Sequence, residues 1–130
     1  MQAAIPAGVR GMVCLMLTAG GADSPAARRR AIEMVKGAGE LAYDEDRLVA
    51  DMSQPADAHM LAISQFGGPL RPEAKEWHLA EMVRIALADA PRQLTAGERA
   101  TVEAIAGALG MTRAQALGVI QLTEQAADQS

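Results

Sequence analysis

Asp89 and Glu98 are the side chains whose type and spacing most readily suggest chemistry. They flank a short turn inside the stretch from Leu79 to Arg99, and two carboxylates brought together across a turn suit a hard divalent cation such as Ca²⁺. That ion fills its shell with about six or more oxygens, so two acids would need further donors. The same residues also have a structural reading. Thr95 and Glu98 have the spacing of a capping box, in which the Glu98 carboxylate returns to the Thr95 amide, while Asp89 takes amide hydrogens from the turn. An Asp at a helix C-terminus opposes the macrodipole, so such local bonding has to compensate.

The remaining reactive types are scattered. His59 and His78 have no second His or Cys at ligand spacing and read as surface or boundary residues. Cys14 is the single cysteine; it excludes an intrachain disulfide and a cysteine zinc site, points to a reducing compartment, and reads as a small buried hydrophobe within Met12 to Leu17. Arg28 to Arg30 is the only basic run, either a solvated helix face or an anion contact. Trp77 either anchors a partner or covers an edge of the core. A phosphate-binding Gly loop, a Gly-x-Ser-x-Gly elbow and a nucleophile paired with a base are all missing, so the chain is not expected to be an enzyme.

A second class of function starts from Ala106, Gly110, Ala116 and Val119, which have the spacing of a helix-turn-helix. Residues 96–125 would then bind DNA, with Thr112, Arg113 and Gln115 at the N-terminal end of the recognition helix. Twelve Lys plus Arg against sixteen Asp plus Glu leave a net charge of −4, which argues against nucleic acid because phosphate binding needs a basic surface. An amphipathic membrane-surface role fails similarly, since the strongest apolar helices have few basic neighbours.

The elements that must position these residues are helical. Half of the 130 residues are apolar, yet Tyr43, Phe66 and Trp77 are the only aromatics and eight Met help to fill the core. That mixture favours closely packed helices in one all-α domain spanning 1–130. Periodicity and caps predict about seven helices. The first covers about 5–19 and stops at Gly20 and Gly21; its apolar run after Arg10 resembles a leader, but it is short and has one basic residue before it. Ser24 and Pro25 start the second, ended by Gly37 and Gly39. Asp44 caps a third that turns Leu48, Val49 and Met52 inward. The fourth, 55–66, places Ala58, Leu61, Ala62 and Phe66 in its stripe. Pro72 starts a fifth, apolar nearly all round from Leu79 to Ala88 and therefore interior. The sixth, from Ala96 to Leu109, buries Val102, Ile105 and Ala106. Thr112 and Gln115 form a second capping box before a seventh that buries Ala116, Leu117, Ile120 and Thr123, and the tail after Gln125 frays. No stretch reaches the ~20 apolar residues of a membrane span.

The two ends of this series can be laid over each other. Ala19 falls on Ala88, Ser24 on Thr95, Arg28 on Arg99 and Gly39 on Gly110. The pattern is a divergent duplication, with a first half at 5–52, a linking helix at 55–66 and a second half at 72–126, the halves being pseudo-symmetric three-helix units.

Ala88-Asp89, Leu94-Thr95-Ala96-Gly97-Glu98-Arg99 and Ile105 through Met111 together resemble the second half of a tellurite-resistance TerB-like domain. The resemblance implies two helical halves, each with an acidic turn and a Leu-Gly stop, and it implies divalent-cation binding, here at Asp89 and Glu98. The match has gaps. Ala90 replaces the usual Gly, Pro91 and Arg92 are extra, and Gly20 and Ala27 stand where the first half of the family carries acids. Function is expected to be non-enzymatic: a cytoplasmic bacterial interaction or scaffold module linked to tellurite or stress resistance, without a cofactor beyond a possible divalent cation. Its partners are expected to be proteins, including membrane-associated stress proteins, docking near the Asp89–Glu98 turn or in the groove between the halves, where Met side chains adapt to a partner helix.

Overall fold

Residues 4–20, 22–89 and 93–128 are described by a computed structural model. They form α1 (Ala4–Thr18), α2 (Pro25–Gly37), α3 (Glu45–Met52), α4 (Ala56–Gly67), α5 (Pro72–Ala86), α6 (Ala96–Ala108) and α7 (Arg113–Asp128), with no strand among the described residues. The expected roles of Gly21, Ala90, Pro91 and Arg92 lie outside the described residues.

Side chains set most helix starts. The Ser24 hydroxyl accepts the Ala27 N–H at 3.0 Å, with Pro25 in the first turn where its missing N–H costs nothing. Asp44 accepts from the Arg47 amide at 3.0 Å. At α6 the capping box is complete: Thr95 accepts the Glu98 N–H at 3.1 Å and Glu98 accepts the Thr95 N–H at 2.8 Å. Thr112 and Gln115 exchange the same two bonds before α7, at 3.1 and 2.8 Å. Two helices also stop alike. Gly39 and Gly110 have φ of +119° and +84°, which lets the Glu40 amide reach Val35 O and the Met111 amide reach Ala106 O, closing the ends of α2 and α6.

One core draws on every helix. Met12 and Met16 of α1 meet Leu79, Met82 and Ile85 of α5, with Leu48, Ile63, Ile105 and Ile120 supplied by the other helices. α5 buries Leu79, Met82, Val83, Ile85 and Ala86, but Ala80, Glu81 and Arg84 between them are only half-buried, so its apolar circumference overstates its burial on one side. Above Cys14, Tyr43 donates its hydroxyl proton to Asp51 at 2.7 Å, and Arg10 pairs with Glu40 and Asp51. Burial, with the Asp51 charge nearby, pushes the Cys14 thiol up to about 12.

Expected facings are corrected at α4, His59 and α3. α4 lies along α1 in the most extensive helix pairing among the described residues. It also presents a different face: His59, Ile63, Phe66 and Gly67 are buried, while Ala58 and Leu61 are exposed. The cause is on α1. A Cβ on Gly8 would stand 2.3 Å from Phe66 Cβ, and one on Gly11 would stand 2.9 Å from the His59 carbonyl oxygen. Only bare glycine backbone admits α4 that closely. His59, expected at the surface or boundary, is thereby buried at 9% exposure, and its Nε2 has no hydrogen-bond partner among the described residues. In the eight-residue α3, Leu48 is buried and Met52 half-buried, whereas Val49 is exposed, since so short a helix offers one inward turn.

Candidate functional site

The α1–α2 and α5–α6 corners lie side by side. The Thr95 hydroxyl donates to the Gly20 carbonyl at 3.2 Å, so the residues that cap α6 also join the two turns. Around the first corner, Arg28 grips Asp23 through Nε and Nη2, each at 2.8 Å, and reaches Glu45 of α3 at 3.8 Å. The Arg28 hydrogen bond holds the Asp23 carboxyl below its ordinary range. Around the second corner, Arg99 reaches Glu124 of α7 at 3.3 Å, and Glu124 Oε2 also accepts the Leu94 N–H at 2.8 Å. Arg28 and Arg99, matched in the sequence overlay, thus each reach an acid on a later helix, Glu45 of α3 and Glu124 of α7.

Glu98 is fully buried, at 0% exposure, and spends one carboxylate oxygen on the Thr95 amide. Asp89 is exposed at the exit of α5. Among the described residues, no group of three or more His, Cys, Asp or Glu lies close enough to hold a metal ion. With Gly20 and Ala27 lacking carboxylates, Asp89 and Glu98 do not supply the oxygen-rich shell Ca²⁺ takes, and no metal step follows from them.

Of the residues proposed to read DNA, Thr112 and Gln115 are occupied by each other in the capping box. Arg113 is exposed and pairs with Glu103 of α6 at 3.2 Å. All three face solvent, but two of them are committed to starting α7.

A cleft opens between α1, α2 and α5, where the sequence reading names a groove but none of the residues lining it. This cleft, of about 370 Å³, has Val9, Met34, Ala38, Trp77 and His78 in its walls and Arg30, Glu33 and Glu81 at its rim. Arg30 reaches across from α2 to Glu81 of α5 at 3.7 Å, and Glu81 is held from behind by Arg84. The aromatic wall is a chain of edge contacts: Phe66 to His78 at 5.0 Å between ring centroids, then His78 to Trp77 at 4.9 Å. His78 Nδ1–H donates to the Ala74 carbonyl at 2.7 Å. Burial lowers the His78 pKa from its ordinary 6.5, so the ring favours its neutral form. Trp77 is 53% exposed and stands between this cleft and a second groove on the far side of α5.

Sequence reasoning found Glu98 and its cap because the signal is local. It missed Glu124, whose partners are Leu94 in the turn before α6 and Arg99 on α6, and it named a groove between the halves without the residues that line it. The charge of Arg99 and its match with Arg28 were the available clues to Glu124. No protein-family model, curated protein or solved structure matches the chain. No helix among the described residues is long and apolar enough to cross a membrane.

Proposed function

We propose that the chain is a non-enzymatic interaction module of the TerB-like kind, working in the bacterial cytoplasm and holding a helix of a protein partner in the cleft between its two halves. The observation that carries this reading is that cleft: an apolar slot with an exposed Trp on one wall and opposite charges at its mouth. Such a slot fits the apolar face of an amphipathic helix, with Met34 adapting to its side chains.

Support for the two-half architecture comes from repeated neighbours. α1 packs on α2 and α3 as α5 packs on α6 and α7, and α2 meets α5 as α6 meets α1. The caps at Ser24 and Thr95 and the stops at Gly39 and Gly110 follow the same scheme. The link to tellurite or envelope stress rests on the sequence resemblance alone.

The test is affinity capture from native lysate, with and without nuclease, comparing the unaltered chain with Met34→Lys and with an Arg29→Ala control on the exposed side of α2. A protein retained by the control, lost with Met34→Lys and indifferent to nuclease supports the module. Co-purifying nucleic acid, with partners that vanish on nuclease treatment, overturns it in favour of Thr112, Arg113 and Gln115 as the next residues to change.

A further inference from the structure

The far side of α5 carries a second surface, which shares Trp77 with the cleft. Glu73, Glu76, Trp77, Ala80 and Arg84 recur at helical spacing on one face and border a groove of about 490 Å³ whose other wall is α7. Gly118 leaves its floor open, since a Cβ there would meet nothing within 4 Å, and Leu122 stands 69% exposed beside it. In the overlay that puts Ala19 on Ala88, Trp77 and Ala80 fall on Gly8 and Gly11. Those glycines are where α4 covers α1. No helix among the described residues covers the matching face of α5.

The charges on this face complement those of a second copy of it, Arg84 being paired with Glu81 within the chain yet with its side chain still 41% exposed. Acids stand at its N-terminal end and Arg84 at its C-terminal end, with small Ala80 midway between Glu76 and Arg84. A twofold axis through Ala80 runs two copies of α5 antiparallel and brings each Glu76 opposite the other copy's Arg84, with the guanidinium also above Trp77. Leu122 of one copy then serves as the knob for the hole over Gly118 of the other. We propose that the α5–α7 face is a self-association surface and that its occupant is a second copy of this chain.

The test is sedimentation velocity on the full chain over a concentration series, with circular dichroism to verify folding. Wild type is expected to dimerise. Glu76→Arg and Arg84→Glu each place like charges opposite one another twice per dimer, and each raises the dimer Kd by at least about tenfold. An equimolar mixture of the two variants, or the double variant, regains the wild-type Kd. Should Arg84→Glu unfold the chain through repulsion from Glu81, Arg84→Gln with Glu76→Arg and Leu122→Glu serves the same purpose. A monomeric wild type overturns the proposal, as does a dimer that neither Glu76→Arg nor Leu122→Glu weakens, or single-variant effects that mixing does not rescue.

Discussion

α1 and α5 both lead into a helix–turn–helix corner, yet one is covered and the other is open. Gly8 and Gly11 let α4 settle onto α1 at near-backbone distance, while Trp77 and Ala80, their counterparts in the overlay, face a groove. The corners differ in the same spirit. The Asp23 that binds Arg28 has a side chain 39% exposed, whereas Glu124 behind Arg99 is at 12% and Glu98 is sealed. The two corners differ in where they place side-chain bulk and where they bury charge. The surface of α1 is taken up by α4, while part of the α5 surface borders a groove.

Gly8→Ala is the strongest way to break that comparison. A helix interior ordinarily gains up to about 1 kcal/mol from this change, but here the new methyl collides with Phe66. The net loss is expected to be about 3 kcal/mol, a fall of roughly 10 °C in Tm, read by thermal melting. Ala80→Gly, at the open position that matches Gly11, is expected to lose only about 1 kcal/mol. Next comes Glu98→Ala, which strips a buried partner from the Thr95 amide and should cost about 2 kcal/mol by denaturant titration. Asp23→Ala at the exposed corner should cost less than about 1 kcal/mol. Equal losses at the two corners would erase the distinction between them.

A smaller effect follows from His78. Its folded pKa lies below 6.5, so in acid the unfolded chain binds the proton more readily and stability falls as the pH drops through and below 6.5. Melting temperatures measured from neutral pH to mild acid should show this slope, and His78→Gln should flatten it. Asp23 works in a separate window: its lowered pKa contributes stability that is present above 3.8 and lost as the pH falls through the folded value. The smallest shift is expected for Trp77→Ala, which removes an exposed ring and should change Tm by about 2 °C or less. A large fall would mean that the indole is part of the core after all.

What was legible in the sequence was local. Ser24, Asp44, Thr95 and Thr112 each start their helices through neighbouring amides, so four helix starts and the all-helical class could be read without tertiary information. The stops at Gly39 and Gly110 were equally plain. The facing of α4 was not, because it is dictated by Gly8 and Gly11, which contribute nothing to an apolar stripe. Leu61 looked like core and His59 like surface until α1 set the rotation. The partners of Glu124 and the lining of the cleft behind Trp77 were hidden for a related reason: each is set only where helices distant in sequence meet.

The seal over Cys14 gives the fold a built-in clock. A lone, fully buried thiol raised to about 12 reacts slowly while the fold stays closed around it. Labelling by a disulfide reagent is therefore expected to proceed only as often as the fold opens at α1, and its rate at saturating reagent to count those openings.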